Sequence, residues 1–211
     1  LENRSFVGMH EVPIVYGLTI GEYAKMINNE GWLENKLKSN LILIKLENYN
    51  RNEEYDLPII PSPNLPNKKS INLYPSLCLF EGTNVSAGRG TDLQFQIYGS
   101  PFLDKNKNEY KFIPIKNSGS KYPKHENKLC FGKILTETER LNKLNLSFLL
   151  DAYNDTSNKE DFFNSYFIKL AGTEDLQNQI INGELEDKIV ESWQEKLNVY
   201  KRMRTKYLIY N

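Results

Sequence analysis

Residues that carry metal or nucleophilic chemistry are scarce in this 211-residue chain. It has two cysteines, Cys78 and Cys130, without a CxxC pair, and two histidines, His10 and His125. Two cysteines cannot build a disulfide framework, and a zinc site needs several Cys or His ligands close together. We therefore expect structural free thiols, with one long-range disulfide in an oxidising compartment as the alternative. We also expect neither a metal nor a cofactor.

An excess of charge of one sign and long apolar runs are also lacking. Lys and Arg number 27 and Asp and Glu number 27, whereas nucleic-acid binding needs a basic excess or stripe. The dense basic cluster Tyr200–Tyr207 is expected near the end of a C-terminal helix, where cations complement the helix dipole. No run reaches the roughly 20 apolar residues of a membrane span. We expect no nucleic-acid partner and no membrane span, and we interpret the chain as a fragment of a longer protein.

The first third of the chain combines helix and strand patterns. Thr19 and Glu22 form a T-x-x-E pattern, which predicts a capping box for a helix that ends at Gly31. Val12–Tyr16 is β-like, and Leu41–Leu46, "LILIKL", has the continuous apolar character of a buried strand. The next segment, "DLPIIPSPNLPNKKS", is rich in proline. Because proline excludes regular structure, we expect a loop there. This order predicts a βα unit that feeds a strand.

The rest of the chain predicts a short helix, three strands and a helical end. The helix terminates at Gly82, and the strands lie in "LQFQIYGSPF", "EYKFIPI" and "KLCFGKIL". Helices are expected in "ERLNKLNLSFLLDAYND", from near Phe162, and in one long C-terminal helix. That helix carries an apolar stripe typical of core packing, formed by Ile189, Trp193, Leu197 and Tyr200. We predict an α+β fold, a mixed sheet with several flanking helices and a helical C-terminal part, in a single domain over residues 1–211.

The stretch "FEGTNVSAGRGTD" concentrates polar groups between glycines. Glycine permits positive φ and a close backbone approach to a ligand, and a guanidinium suits a carboxylate or phosphate. The candidate binding residues are Glu81, Thr83, Asn84, Ser86, Arg89, Thr91 and Asp92, together with His10 before the first β-like run. The alternative is that Glu81 and Asp92 merely hold Arg89 and the loop in place. The stretch fits neither a P-loop nor G-x-G-x-x-G, so we expect a polar, anionic, hydroxyl-bearing ligand.

Four segments in order resemble one known family. "SFVGMHEVPIVYGLTIGEYAKMIN", "PSPNLP", "YPSLCLFEGTNVSAGRGTD" and "FQIYGSPF" are similar to the C-terminal half of the NamZ family, bacterial exo-β-N-acetylmuramidases of glycoside hydrolase family 171. The resemblance implies removal of terminal non-reducing N-acetylmuramic acid from peptidoglycan fragments in cell-wall recycling. It also implies a periplasmic or exported protein, although no signal peptide is visible. Arg89 would pair with the lactyl carboxylate of muramic acid.

The chain departs from the family in length and in its catalytic motif. Family members are about twice as long, and their Rossmann-like N-terminal half carries a Glu-His-Gly motif that this chain lacks. Glycoside hydrolysis usually needs two carboxyl groups, of which the chain could supply at most one, Glu81 or Asp92, with Glu81 as the candidate assisting carboxylate. We expect a substrate-binding part that is inactive without the missing N-terminal domain. The alternative is a non-catalytic module that binds muropeptides or other carbohydrates.

Overall fold

The computed structural model describes residues 3–210, which divide into two compact units. The first unit comprises residues 3–9 and 56–189, and the second comprises residues 10–55 and 190–210. The prediction that residues 1–211 behave as a single domain stays a prediction.

Seven α-helices and three strands account for the regular structure of the described residues. In chain order the helices are α1 (Ile20–Asn29), α2 (Lys68–Leu77), α3 (Ser147–Asp155), α4 (Phe167–Ala171), α5 (Asp175–Ile181), α6 (Glu186–Ser192) and α7 (Gln194–Thr205). Short 3-10 turns occupy Glu34–Lys36 and Cys78–Gly82. The strands are β1 (Ile97–Ser100), β2 (Tyr110–Phe112) and β3 (Cys130–Ile134).

The three strands form one small sheet in the order β1-β3-β2. Both pairings are antiparallel, with Gly99 opposite Gly132 and Phe112 opposite Cys130. The α+β class and the three predicted strands are therefore confirmed. The mixed character expected for the sheet is corrected, since no parallel pair occurs within residues 3–210. The strand expected at residues 41–46 does not join this sheet.

The core of the first unit joins the sheet to α2 and to the aromatic residues that follow α3. Leu73 and Leu77 of α2 are fully buried, as expected from their helical spacing. Phe80, at the end of the same apolar run, stacks on Tyr98 of β1 with ring centroids 4.9 Å apart. Burial of such side chains contributes about 1.5–3 kcal/mol each. The predicted helix that ends at Gly82 is thus confirmed as α2 and its 3-10 extension.

The second unit is built around α1 and α7. Thr19 and Glu22 form the predicted capping box, because each side chain accepts a hydrogen bond from the other residue's backbone N–H. Gly31, with φ of +70°, follows the end of α1 as predicted. The core of the unit consists of Leu18, Met26, Tyr200 and Tyr207. The basic residues of the last turn of α7 are Arg202 and Arg204, which confirms the expected position of the basic cluster at a helix end.

Two predicted strands of the second unit are not formed. Neither Val12–Tyr16 nor Leu41–Leu46 has regular secondary structure. In Leu41–Leu46 every residue except Leu43 is exposed. The apolar run therefore lacks, within the described residues, the neighbouring strands that a buried strand requires.

The helical end of the chain is more interrupted than expected. The helix expected from residue 139 begins only at Ser147, because side chains of α2 bind the preceding residues. Asn72 pairs with both backbone groups of Leu141, at 2.8 and 2.9 Å, and Ser76 Oγ accepts from the N–H of Asn145. The single C-terminal helix is two helices, α6 and α7, separated at Trp193.

Both thiols are free and buried, which confirms the structural interpretation of the cysteines. Burial raises the pKa of Cys78 and of Cys130 to about 12. Each thiol therefore stays protonated and unreactive at neutral pH. Among the helices of residues 3–210, none combines the length and apolar character needed to cross a bilayer.

Candidate functional site

The polar stretch predicted as a site lies between α2 and β1 in the first unit. It leaves α2, turns through the 3-10 turn Cys78–Gly82 and returns to the sheet at Ser86. There the backbone N–H of Ser86 donates to Gly99 O at 2.8 Å, and Gly99 N–H donates to Ser86 O at 2.9 Å. The loop is thus fixed at one end by a helix and at the other by a strand. Such rigid mounting is typical of binding loops.

An ion pair between Glu81 and Arg89 is a partly exposed charged feature of this loop. Arg89 Nη1 donates to Glu81 Oε1 at 2.7 Å, and the two side chains are 42% and 28% exposed. Arg89 Nε is buried and has no hydrogen-bond partner within the described residues. The guanidinium is therefore held by one carboxylate oxygen and still reaches solvent. It keeps donors with which to bind an anion.

Lys124 lies close to this ion pair and was not anticipated from the sequence. Its ammonium donates to three backbone carbonyls of the loop, Phe80 O at 2.8 Å, Val85 O at 3.0 Å and Thr83 O. Burial lowers the pKa of Lys124 to about 8, while the nearby Glu81 carboxylate opposes this shift and Arg89 adds to it. The lysine remains charged at neutral pH. It adds positive charge to a surface that already carries Arg89.

The three predicted hydroxyl residues form turns of the loop itself. Thr83, Ser86 and Thr91 each accept a hydrogen bond from a backbone N–H two residues ahead, at 3.0 to 3.2 Å. Thr83 and Thr91 also donate to backbone carbonyls, at 3.0 and 2.7 Å. Their hydroxyls stabilise the loop conformation. Their role in binding a ligand stays a prediction.

The glycines of the loop are required by its own packing. Gly88 and Gly90 have φ of +77° and +84°, as expected for glycine in a tight turn. A Cβ at Gly88 would lie 2.6 Å from Leu93 O, and one at Gly90 would lie 2.5 Å from Pro123 Cβ. The sequence predicted that the backbone at these glycines closely approaches a neighbouring group, and in the structure that group is another part of the protein. This contact leaves no need for a ligand to explain these two glycines.

Asn84 joins the loop to His125. His125 Nε2 donates to Asn84 O at 2.6 Å, which places the ring proton on that nitrogen because a carbonyl only accepts. Burial lowers the pKa of His125, and the bond to Asn84 partly offsets this. Asn84 Oδ1 is buried without a partner in the described part of the chain. Asp92 is exposed.

Tyr74 adds an aromatic ring beside the ion pair. It lies in the last turns of α2 and is partly exposed. Burial raises the pKa of the Tyr74 phenol, and the nearby Glu81 carboxylate raises it further. An aromatic ring with a polar tip suits a ligand that presents both apolar and hydroxyl surfaces. The sequence signal that could have identified Tyr74 is its spacing of seven residues before Glu81, two helical turns away.

His10 belongs to the second unit, where it contacts the aromatic residues around α1. Its ring stacks on Trp32 with centroids 5.2 Å apart, and Nδ1 lies 2.9 Å from Tyr23 Oη. A groove of about 480 Å³ in the same unit is lined by Lys25, Asn28, Asn29, Ser39, Asn40, Leu41 and Leu43. This groove contains no carboxylate. A binding role for His10 stays a prediction.

Comparison with known proteins identifies the family. The C-terminal model of exo-β-N-acetylmuramidase NamZ matches residues 72–210, and the N-terminal model matches residues 1–69. The chain belongs to the NamZ family. The stretch with Glu81, Arg89 and Lys124 lies within the C-terminal match, whereas α1 and Leu41–Leu46 lie within the N-terminal match. The resemblance expected for the C-terminal half alone is thus corrected, because residues 1–69 match the N-terminal domain of the family.

Individual relatives support the same assignment. The peptidoglycan β-N-acetylmuramidase NamZ of Bacillus subtilis (strain 168) is 32% identical over 227 residues, which cover 99% of this chain and 54% of that protein. A crystal structure of a DUF1343 family protein from Bacteroides fragilis NCTC 9343 matches with a TM-score of 0.93 at 41% identity, over 100% of this chain and 60% of that chain. A second protein of that family and strain, at 20% identity and a TM-score of 0.79, shares the fold. The chain spans about half the length of the curated relative.

Proposed function

We propose that this chain is the substrate-binding part of an exo-acting β-N-acetylmuramidase, which hydrolyses terminal non-reducing N-acetylmuramic acid from peptidoglycan fragments. The family membership supports the reaction class. The observation that carries the binding role is the partly exposed Arg89 guanidinium, held by Glu81 at 2.7 Å within the C-terminal family match.

The charges of the loop suit this sugar because muramic acid carries a lactyl carboxylate. Arg89 would donate to that carboxylate in a charge-assisted pair, and the nearby Lys124 ammonium would favour the same negative charge. Glu81 orients the guanidinium and offers its second oxygen to a sugar hydroxyl or amide. Tyr74 would lie against the apolar side of the sugar ring. N-acetylglucosamine lacks the lactyl group and would lose the pair with Arg89.

Hydrolysis would require a carboxyl group from outside this chain. Glycosidases generally use two carboxyl groups that flank the bond, and Glu81 already pairs with Arg89. The sequence contains no Glu-His-Gly. We therefore propose that the chain binds substrate, and that turnover needs the N-terminal region found in the relatives. Peptidoglycan fragments of this kind occur outside the cytoplasmic membrane, so we place the protein in the periplasm or outside the cell, in cell-wall recycling.

Release of N-acetylmuramic acid from defined muropeptides tests this proposal. The assay compares this chain alone with the chain joined to the N-terminal region of the Bacillus subtilis relative. Turnover by the joined protein alone is the expected result. Turnover by residues 1–211 would contradict the assignment of catalysis to the missing region. Binding without turnover by either protein would favour a non-catalytic muropeptide-binding module.

A further inference from the structure

The segment Leu41–Leu46 has the composition of a buried strand but an exposed position in the second unit. Ile42, Ile44 and Leu46 are 78%, 89% and 64% exposed. Alternate residues of a strand share one face, so these three side chains would form one continuous apolar face. A run that is apolar on both faces is typical of a strand in a sheet covered on both sides.

The opposite face and both ends of this segment are already fixed. Leu43 packs against α1, where a Cβ at Gly21 would lie 3.3 Å from Leu43 Cδ2. The Asn28 side chain binds both backbone groups of Ser39, at 2.8 and 2.9 Å. At the other end the N–H of Leu46 donates to Tyr210 Oη at 2.9 Å. The segment is therefore held in one place rather than left as a loose loop.

Between these anchors the backbone has no partners. Residues 40–45 make no backbone hydrogen bond to any other part of residues 3–210. Unpaired N–H and C=O groups beside an apolar face are what a sheet edge presents to another strand. The run is anchored, apolar and unpaired, so it has the properties of a strand whose neighbours lie elsewhere.

The family comparison indicates where these neighbours lie. The segment falls inside the match to the N-terminal family model, residues 1–69. The Bacillus subtilis relative has nearly as much chain again outside the matched stretch. We propose that Leu41–Leu46 is a strand of a sheet completed by the N-terminal region that the relatives carry outside this stretch, and that this region covers Ile42, Ile44 and Leu46. The proposal rests on the family membership and the segment's geometry, and it is independent of hydrolysis.

Hydrogen exchange of the amides of residues 41–46 tests the pairing. The measurement compares this chain alone with a chimera that carries the N-terminal region of the Bacillus subtilis relative before residue 1. We expect rapid exchange in the chain alone and exchange slowed by about 100-fold or more in the chimera, because paired backbone groups exchange only on opening. If the chimera does not fold, the aligned amides of the intact Bacillus subtilis protein are measured instead.

A matched pair of substitutions tests the covered face. Ile44→Lys should leave the melting temperature of the chain alone unchanged and lower that of the chimera by about 5 °C or more, since it places a charge in a covered sheet. Val199→Lys, on an exposed position of α7 in the same unit, should change neither. Rapid exchange in both proteins would overturn the proposal. So would a dimer of the chain alone that Ile44→Lys dissociates, because a second copy would then be the occupant.

Discussion

At the scale of single residues, Arg89 distinguishes a binding role from a structural one. Arg89→Ala should weaken binding of N-acetylmuramic acid about tenfold or more, because it removes a charge-assisted pair. It should lower the stability by no more than about 1 kcal/mol, because a partly exposed ion pair contributes little. Calorimetric titration and thermal unfolding measure the two effects. Arg202→Ala, on an exposed residue of α7, is the matched control and should change neither. A clear loss of stability with unchanged affinity would show that Arg89 only holds the loop.

We expect substitution of Lys124 to lower the stability of the protein clearly, whereas substitution of Arg89 should lower it little. Lys124→Met leaves three buried carbonyls without their ammonium partner, which should cost about 2–4 kcal/mol of unfolding free energy. Lys121→Met, on an exposed lysine three residues earlier, is the control and should cost almost nothing. Urea unfolding followed by circular dichroism measures both. Equal midpoints for the two variants would contradict the structural role of Lys124.

The site was predictable from the sequence only where its residues are close together in the chain. Glu81 and Arg89 are eight positions apart in one glycine-bracketed stretch, so their closeness in the sequence was enough to suggest that the two charges pair. Lys124 reaches the same loop from about 40 residues away. Its own surroundings, "KYPKHEN", have no periodicity that would place it there. The hydroxyls of Thr83, Ser86 and Thr91 were recognised as polar groups of the site. Their hydrogen-bond partners are backbone groups, and a pattern of residue types does not predict such partners.

At the scale of elements, Glu22 ties α1 to two other parts of the second unit. Its buried carboxylate accepts from Arg51 Nη2 at 2.6 Å and from the N–H of Ile209 at 2.8 Å, besides the capping bond from Thr19. Burial alone would raise the pKa of Glu22, but these hydrogen bonds outweigh it and lower the pKa to about 2.

The stability of the second unit should therefore fall in acid. The unfolded chain takes up the proton near pH 4.5 and the folded unit only near pH 2, so about 3 kcal/mol is present above pH 4.5 and is lost as the pH falls through 2. Both tryptophans, Trp32 and Trp193, lie in this unit, so their fluorescence in urea reports its unfolding. Glu22→Gln should remove this pH dependence, and the exposed Glu34→Gln should retain it. If Glu22→Gln lost the same amount of stability in acid as the unmodified chain, the attribution of that loss to Glu22 would be contradicted.

The elements that sequence patterns predicted correctly are those that depend on local chemistry. The capping box of α1 needs only Thr19 and Glu22, and the end of α2 needs an apolar spacing followed by Gly82. The prediction of a strand at Leu41–Leu46 was wrong for the described residues, because a strand forms only when other strands pair with it. The break at Trp193 has neither proline nor glycine to mark it.

At the scale of the whole molecule, the chain belongs to the NamZ family and is about half as long as its curated relative. The C-terminal match contains the charged loop, and the N-terminal match contains an apolar segment that pairs with no strand of residues 3–210. We therefore propose that the residues present bind the substrate and that a region outside them catalyses its hydrolysis. This division predicts a protein that recognises its sugar but does not cleave it.

Calorimetric titration of the unmodified chain with N-acetylmuramic acid, with N-acetylglucosamine as the control, tests that division. The two sugars differ by the lactyl carboxylate that Arg89 is proposed to bind. The account predicts that N-acetylmuramic acid binds about tenfold or more tightly than the control, without hydrolysis of muropeptides by the same preparation. Equal affinity for the two sugars, or no binding of either, would contradict the claim that the Glu81–Arg89 loop is a substrate site.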